Sequence, residues 1–350
     1  MSIFPESATV LVYGAYGHTA RFVIDELVRR GSRPVLAGRS PERLQSVRGD
    51  YPDLSIRTAG VADAQDLLAA VDLVINCAGP FADTAVPLAA AAVRAGVHYL
   101  DLSAEQQPVL DLAAEFQDGP FASTVMPAAG FFGALGDLLA TAAAGDWAEM
   151  DQIEEISVFT ALDHWHPTSG TRRTGERNTG PRFKVAGGKL VPIAPAHSQA
   201  GRPFSWTFPA PFGTCELGEL GLAETICISR HLPATRISSY LNLSALSELR
   251  DPHTPPPIAT DTAGRSAQRF TMEAVAVRDG VRRTARVQGQ DIYASSAPIV
   301  VEAAARILAG EAPSGVVSPA SAFPAEEFLA ALPFEEFSLN TKSDQHSPSV

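Results

Sequence analysis

A glycine-rich turn between an apolar strand pattern and an amphipathic helix pattern constrains the fold of this chain more than any other feature. The turn follows the run ATVLVY and opens the helix pattern TARFVIDELVRRG, and its residues are Gly14, Ala15, Tyr16, Gly17, His18, Thr19 and Ala20. Glycines at such a turn let the main chain approach a pyrophosphate, to which the helix N-terminus presents free N–H groups. Strand, turn and helix in this order predict a βαβ unit in which residues 14–19 bind a dinucleotide. A tight turn without a ligand is the alternative.

The rest of the chain predicts two kinds of sheet. The first third alternates helix patterns with strand candidates, which are ATVLVY, RPVLAG, SIRTAG, VDLVINCAG, VHYLDLS and FASTVM. Later strand-like runs are ISVFTAL, RFKVAGGKLVPI, PFSWTF, ETICIS and RISSYLNL, and Asp279-Gly280 marks a hairpin between two alternating runs. We predict an α/β protein with an N-terminal Rossmann domain, which is a doubly wound parallel sheet. A second α+β domain should contain a largely antiparallel sheet with one solvent-exposed face.

The pattern also predicts domain boundaries. Residues 1–127 form the Rossmann domain, and residues 128–294 form the α+β domain, which contacts substrate and a second subunit. Residues 295–337 read as a helical segment that packs back near the Rossmann domain. Residues 338–350 are polar without apolar periodicity, so we predict a disordered tail.

Composition narrows the function classes. The 350 residues exceed the usual size of one domain, and 27 basic against 39 acidic residues give a net charge of −12, which disfavours nucleic acid and anionic membranes. The three cysteines have no metal-ligand spacing and suit a reducing compartment. No signal peptide or membrane-spanning run is evident. We therefore expect a cytoplasmic protein with a small-molecule substrate, no nucleic acid, no membrane insertion and a possible homodimer.

The end of the second predicted strand indicates which dinucleotide is bound. A site for NAD usually has an acidic residue here, whereas the 2′-phosphate of NADP needs a cation. This chain has Gly38-Arg39-Ser40, in which Arg39 can form paired hydrogen bonds with a phosphate and Ser40 can donate another. We therefore predict NADP (NADPH) as the cofactor. In the alternative interpretation Ser40 only caps the helix that begins at Pro41, and Arg39 is solvated.

Two further strand ends should lie beside the cofactor, because ligands of open α/β sheets bind beyond the carboxyl ends of the strands. Ala78, Gly79 and Pro80 follow the fourth strand and can line the dinucleotide. Asp101 and Ser103 lie at the end of the fifth strand. Ser103 is predicted to contact the cofactor, and Asp101 is a candidate for relaying a proton.

A polar and aromatic stretch in the second domain, residues 163–173, directly follows the apolar run ISVFTAL. His164 is the predicted proton donor, and Arg172 is predicted to bind an anionic group of the substrate. His164 and His166 could share a metal ion, but the sequence places no further ligand, so we predict no metal site. An exposed loop without a catalytic role is the alternative.

Four motifs, in order, resemble those of the saccharopine dehydrogenase-like family of NADP-binding proteins. The matching stretches are GAYGHTA, AGRS, NCAGPF and YLDLSAE, and a looser similarity that includes Ser169-Gly170-Thr171 extends through the second domain. Bacterial members with a similar pattern include trans-acting enoyl reductases of lipid biosynthesis. The resemblance implies an NADPH-dependent oxidoreductase that transfers hydride to or from a C=N bond or an activated C=C bond of a small metabolite or acyl substrate.

The chain departs from the family pattern at three places. Tyr16, His18 and Ala20 replace the commoner residues of the glycine turn, and Ala104 replaces a glycine. Gly130-Phe131-Phe132 stands where a G-F-D run is frequent, so a carboxylate near the substrate is lost. This loss keeps a second function class open, a non-catalytic NADPH-binding regulatory protein. A short-chain-type carbonyl reductase is disfavoured, because the sequence has no Tyr-x-x-x-Lys pair.

Overall fold

The structure is a computed structural model that describes residues 4–5, 7–117, 121–150, 152–193 and 204–343. Its α-helices are α1 (His18–Arg29), α2 (Pro41–Asp50), α3 (Phe81–Arg94), α4 (Gln106–Glu115), α5 (Ala134–Ala144), α6 (Ser169–Arg177), α7 (Ala223–Ser229), α8 (Leu243–Arg250), α9 (Ile292–Leu308), α10 (Pro319–Ala322) and α11 (Ala325–Ala330). Its strands are β1 (Val10–Tyr13), β2 (Val35–Gly38), β3 (Ile56–Thr58), β4 (Leu73–Asn76), β5 (His98–Asp101), β6 (Thr124–Met126), β7 (Ile153–Leu162), β8 (Phe183–Ala186), β9 (Lys189–Pro192), β10 (Phe204–Thr207), β11 (Thr214–Glu219), β12 (Ala234–Asn242), β13 (Arg269–Arg278), β14 (Val281–Gln290), β15 (Gly315–Val316) and β16 (Glu336–Ser343). Short 3-10 helices span Val61–Leu67 and Gly145–Glu149.

The first of two compact units comprises Met1–Ala134, Thr168–Thr179 and Ile292–Phe323. Its sheet has the strand order β15-β6-β5-β4-β1-β2-β3, and all neighbouring strands are parallel. Strands β1, β2 and β4 are buried at every position, as expected for parallel strands covered on both faces. This order reverses direction between β1 and β4, so the predicted Rossmann architecture is confirmed.

Helix α9 belongs to this first unit and packs against α1. The apolar face of α1 is buried, and Arg30 just beyond it donates to Glu302 of α9 at 2.6 Å. The predicted segment 295–337 is divided in the structure, because residues up to Phe323 belong to the first unit and residues from Pro324 belong to the second.

The second unit comprises Leu135–Pro167, Gly180–Asp291 and Pro324–Val350. Its sheet follows the order β10-β11-β12-β7-β13-β14-β16, with β8 and β9 beside β12. Only the pairing of β7 with β12 is parallel among the described strands of this sheet, so the predicted α+β domain with a largely antiparallel sheet is confirmed. The β13–β14 turn has Asp279 and Gly280 at φ of 51° and 72°, as the Asp-Gly pair predicts.

The predicted solvent-exposed face of this second sheet is covered instead. The hairpin of β10 and β11 folds over the sheet, so that the ring of Trp206 stacks on Phe159 of β7 with 3.9 Å between centroids. Glu273, which lies opposite Phe159 on β13, is only 7% exposed. Alternation along one strand shows which residues share a face, but it cannot show that a segment distant in sequence covers the polar face.

Two predictions of local structure are wrong. The run ETICIS lies in helix α7, whose residues are almost all buried, and a short run that is apolar all round has no period that separates helix from strand. The predicted disordered tail begins inside a strand, because β16 (Glu336–Ser343) pairs with β14. Main-chain hydrogen bonds build that strand, so a polar composition does not prevent it. Residues 344–350 of the tail lie outside the described residues.

Within the described ranges, no helix has both the length and the apolar character that are needed to cross a bilayer.

Candidate functional site

The glycine turn leads from β1 to α1 in the first unit, and its two glycines serve different purposes. Gly14 has a φ of +78°, and a Cβ atom there would lie 2.8 Å from the Cβ of Ala78. Gly17 has a φ of −74°, which any residue adopts, and a Cβ atom there would lie 3.2 Å from Gly14 O. The backbone conformation therefore requires glycine at position 14. At position 17 glycine keeps the entrance to the helix open for close approach.

The N-terminus of α1 is suited to an anion. A main-chain hydrogen bond closes from Arg21 N to Gly17 O at 3.3 Å, and the N–H groups of Thr19 and Ala20 precede this bond in the first turn. These groups and the helix dipole attract negative charge. The arrangement fits the pyrophosphate of a dinucleotide.

The turn after β4 lies directly against the glycine turn, as the contact between Gly14 and Ala78 shows. Asn76 fixes this second turn, because its Oδ1 accepts from Ala78 N at 3.0 Å and its Nδ2 donates to Thr84 Oγ1 at 3.1 Å. Thr84 Oγ1 in turn donates to Ala78 O at 2.7 Å. The structure thus brings Ala78, which was predicted from its strand end, to the glycine turn. It also shows why the motif contains Asn76, whose role sequence reasoning missed.

A second cation lies near Arg39 at the end of β2. The Tyr16 ring packs on Gly38, where a Cβ atom would lie 2.7 Å from Tyr16 Cε1. The guanidinium of Arg43 in α2 lies 4.1 Å from the centroid of that ring. Arg39 and Arg43 are both exposed, so both can reach a phosphate. Sequence reasoning missed Arg43, although its place in the first turn of a helix that starts at Pro41 was a usable signal.

The Ser40 hydroxyl forms hydrogen bonds with residues of helix α2, as the interpretation of Ser40 as a helix cap expected. Its Oγ accepts from Arg43 N at 3.3 Å and donates to Glu42 Oε2 at 3.0 Å, so the side chain caps α2. A hydrogen bond from Ser40 Oγ to a phosphate requires the bond to Glu42 to break. The two arginines are therefore better candidates than Ser40 for binding a phosphate beyond β2.

Asp101 is buried and fully bonded at the end of β5. Its Oδ1 accepts from Ser103 N at 2.9 Å, from Ser103 Oγ at 2.6 Å and from Ala128 N at 2.8 Å, and its Oδ2 accepts from Tyr99 Oη at 2.9 Å. Burial raises the pKa of Asp101 although these hydrogen bonds oppose the shift. Both Asp101 and Ser103 are 0% exposed. The geometry therefore favours a positioning role for this pair over the predicted proton relay and cofactor contact, because the side chains already bond to each other.

The buried hydrogen bonds predict a large loss of stability when the carboxylate is removed. Asp101→Ala leaves at least three buried donors unpaired, at about 1–3 kcal/mol each, so we expect the free energy of unfolding to fall by about 3 kcal/mol or more. Urea denaturation measures this, and Asp50→Ala, which removes an exposed carboxylate 3.5 Å from Arg21, is the control. Asp101→Asn preserves shape. If Asp101→Asn were as stable as wild type but inactive, the positioning role would be wrong, and Asp101 would be assigned to proton transfer.

Helix α6 carries the predicted Arg172 and belongs to the first unit. A Cβ atom on Gly79 would lie 3.0 Å from Thr174 Oγ1, so α6 lies against the turn after β4. Arg177 Nη2 donates to Asp83 Oδ1 of α3 at 2.6 Å, which holds the far end of α6. Residues 169–173 of the stretch thus belong to a helix capped by Thr168, which lies beside Gly79, whereas residues 163–168 form a loop.

A hydroxyl network ties the start of α6 to α9 and to the glycine turn. Thr171 Oγ1 lies 3.0 Å from both Thr168 Oγ1 and Tyr293 Oη. The Tyr293 ring meets His18 edge to face, with 5.3 Å between ring centroids. Sequence reasoning missed Tyr293 and both threonines. No signal could have found Tyr293, because 122 residues separate it from Thr171.

His164 lies in the second unit, in the loop after β7. Its Nδ1 is 2.8 Å from Asp163 Oδ1, and its carbonyl oxygen accepts from Gln268 Nε2 at 2.6 Å. The side chain is 24% exposed, and the His166 ring lies 4.6 Å away between centroids. Asp163 thus orients an accessible imidazole, which is how general acids and bases are commonly held. Within the ranges the structure describes, no group of three potential ligands could hold a metal ion.

The Gly130-Phe131-Phe132 run is part of the core of the first unit. Phe131 and Phe132 are 2% and 7% exposed, and their rings meet edge to face with 4.9 Å between centroids. Phe131 N donates to Ser296 Oγ at 3.1 Å. An apolar pair therefore occupies the run where the resemblance expects a carboxylate.

The parallel strand order, the glycine turn against the β4 turn and the cations beyond β2 define a dinucleotide-binding domain of the Rossmann class. Residues 10–122 match the family model "Saccharopine dehydrogenase NADP binding domain". Over this segment, about a third of the chain, the match confirms the resemblance that the motifs indicated and the predicted cofactor NADP.

Similar proteins include mycobacterial enzymes. A trans-acting enoyl reductase of Mycobacterium ulcerans is 30% identical over 114 residues, which cover 30% of this chain and 27% of that protein. A trans-acting enoyl reductase of Mycobacterium tuberculosis is 32% identical over 105 residues, which cover 27% of this chain and 25% of that protein. The chain thus spans about a quarter of the length of these relatives.

The fold has a solved counterpart over nearly the whole chain. The structure of apo histidine-tagged saccharopine dehydrogenase (L-Glu forming) from Saccharomyces cerevisiae matches with a TM-score of 0.66 at 14% identity, over 96% of this chain and 100% of that chain. At this identity the likeness shows a shared fold and nothing finer.

Proposed function

We propose that this chain is an NADPH-dependent oxidoreductase that transfers hydride to or from a C=N bond or an activated C=C bond of a small metabolite or acyl substrate. The observation that supports the proposal is helix α6, which carries Arg172 and whose Thr174 lies against Gly79 of the β4 turn. Cofactor binding alone does not need such a helix. The names of the mycobacterial relatives support reduction of a C=C bond.

Different residues of the first unit bind different parts of the cofactor. Gly14, Gly17 and the first turn of α1 receive the pyrophosphate, and Arg39 and Arg43 bind the 2′-phosphate. When bound, NADPH supplies the hydride. The Asn76 hydrogen bonds fix the turn at Ala78, which contacts Gly14 and forms one wall of the proposed site, and Gly79 and Pro80 follow in the same turn.

Two residues act on the substrate, one through its positive charge and the other by transferring a proton. Arg172 binds an anionic group of the substrate. His164 supplies or accepts the proton that accompanies hydride transfer, and the proton moves at Nε2 because Asp163 holds Nδ1. No covalent nucleophile enters this scheme.

The two arginines predict selectivity for NADPH over NADH. Arg39→Ala and Arg43→Ala each remove a charge-assisted hydrogen bond to phosphate worth about 1.5–3 kcal/mol, so each should weaken NADPH binding by about ten- to a hundredfold. NADH affinity should stay within about twofold, since that cofactor has no 2′-phosphate. Titration calorimetry with both cofactors measures this. Arg48→Ala, in the last turn of the same helix, is the matched control. A wild type that binds NADH as tightly as NADPH would refute the assignment.

A substrate panel tests the activity itself. Oxidation of NADPH is followed by absorbance with pairs of keto acids and amines that form imines, and with α,β-unsaturated acyl compounds. Turnover with one class identifies the bond that is reduced. If the protein binds NADPH selectively but oxidises it with neither class of substrate, the result would favour a non-catalytic NADPH-binding regulatory protein. The buried Phe131–Phe132 pair is the observation that supports this second candidate.

A further inference from the structure

The Tyr16 ring lies where the glycine turn meets the end of β2. It rests on the main chain of Gly38, since a Cβ atom there would lie 2.7 Å from Tyr16 Cε1 and 3.3 Å from its Oη. Gly38 is buried and Tyr16 is half-buried. The ring can therefore occupy this place only because residue 38 has no side chain.

Arg43 is held by this ring and not by a carboxylate. Its guanidinium carbon lies 4.1 Å from the centroid of the Tyr16 ring. Among the described residues Arg43 forms no ion pair, whereas Arg30 bonds to both Glu26 and Glu302. Attraction to a ring depends on the positive charge and needs no acceptor oxygen for the N–H groups. The N–H donors of Arg43 are therefore available for a phosphate.

We propose that Tyr16 is a positioning residue, which holds the Arg43 guanidinium where it binds the 2′-phosphate of NADPH and so contributes to selectivity for NADPH over NADH. Arg43 is exposed, and ordering a long exposed side chain on binding costs free energy that a ring contact reduces in advance. Tyr16 departs from the family pattern, so the resemblance supplies no role for it. The inference rests on the proposed assignment of Arg43 to the 2′-phosphate.

Removing the ring tests the positioning role. Tyr16→Leu should weaken NADPH binding about three- to tenfold and NADH binding less than about twofold, because only NADPH carries the phosphate that Arg43 binds. Tyr16→Phe should keep the wild-type ratio of the two dissociation constants, since among the described residues the Tyr16 hydroxyl forms no hydrogen bond. Titration calorimetry measures both constants. Equal loss of NADPH and NADH affinity in Tyr16→Leu overturns the proposal, because the tyrosine would then only shape the glycine turn.

A double variant shows whether Tyr16 acts through Arg43. In the Arg43→Ala background, Tyr16→Leu should change the NADPH to NADH ratio less than about twofold, because the group that the ring positions is already absent. Independent, additive effects on that ratio overturn the proposal. Arg43→Ala alone separates the two failures. If it leaves the ratio unchanged, the 2′-phosphate assignment is wrong and the role of Tyr16 fails with it. If Arg43→Ala lowers the ratio but Tyr16→Leu does not, only the role of Tyr16 fails.

The place of the ring on Gly38 provides a second test that leaves Tyr16 and Arg43 in the chain. Gly38→Ala puts a methyl group 2.7 Å from Tyr16 Cε1, so the ring must move. We expect selectivity for NADPH to fall about three- to tenfold, as in Tyr16→Leu. Gly49→Ala is the control, because nothing lies within 4 Å of a Cβ atom at that position of α2. Circular dichroism and thermal unfolding show that each variant is folded. Wild-type selectivity in a folded Gly38→Ala protein overturns the proposal.

Discussion

Replacing Gly14 with valine should abolish NADPH binding, by more than about a hundredfold or ~2.7 kcal/mol. A side chain at this position meets Ala78 at 2.8 Å, and its backbone would have to keep a φ of +78°, which β-branched residues strongly disfavour. Relief of either strain moves the glycine turn away from the β4 turn, so the first-turn N–H groups of α1 no longer point at the pyrophosphate. Titration of NADPH by calorimetry or by its fluorescence measures the loss.

Matched glycines separate the site effect from a general effect of valine. Gly60 has an ordinary φ of −79° and open space where its Cβ atom would be, so Gly60→Val should bind NADPH as wild type does. Gly17→Val should also lose binding while it keeps most of its secondary structure, because its φ is ordinary, its tightest contact is 3.2 Å to Gly14 O, and the side chain blocks the approach of the ligand. Circular dichroism confirms folding. Full NADPH affinity in a folded Gly14→Val or Gly17→Val protein would show that the cofactor does not bind at this turn.

Replacing His164 with alanine should lower kcat by about 10²–10⁴-fold, which is the usual contribution of a positioned proton donor. NADPH affinity should hardly change, since the histidine acts on substrate. Asp163→Asn should reduce turnover less, because the imidazole remains while the carboxylate 2.8 Å from Nδ1 is lost. Single-turnover hydride transfer with a substrate from the panel measures the chemical step directly.

Two other variants serve as comparisons for the His164→Ala prediction. His253→Ala removes an exposed histidine elsewhere in the second unit and should leave turnover unchanged. Arg172→Ala should mainly raise KM for an anionic substrate, because it removes binding that is equal in the ground and transition states. Wild-type transfer rates in both His164→Ala and Arg172→Ala would place the chemistry on other residues.

Local sequence pattern predicts much of the candidate cofactor site. The glycine turn, the Arg39 cation and the Ala78-Gly79-Pro80 turn each follow a strand, and parallel strands of a doubly wound sheet end at one edge. The hairpin at Asp279-Gly280 was equally local, because positive φ at two adjacent positions needs such residues. In these cases the deciding interactions act within a few residues.

The rest of the candidate site could not be predicted, because its contacts join distant segments. Arg43 becomes part of the site only because the Tyr16 ring packs on Gly38 and receives its guanidinium. The sequence did not show that the carboxylate oxygens of Asp101 accept hydrogen bonds from Ala128 N and Tyr99 Oη. Ser40 had two plausible roles, and only the hydrogen bonds of the folded chain choose between them.

The sequence by itself determined the class of both sheets, and it predicted the dinucleotide turn and NADP as the cofactor. Periodicity, turn chemistry and charge at a strand end are properties of neighbouring residues, so they can be read before folding. Only the tertiary structure decided that α6 lies against Gly79, that Tyr293 joins Thr171 across 122 residues and that a hairpin covers the sheet face beside Glu273. The physical reason is that burial and hydrogen bonding between remote segments depend on how the whole chain packs, which no local pattern encodes.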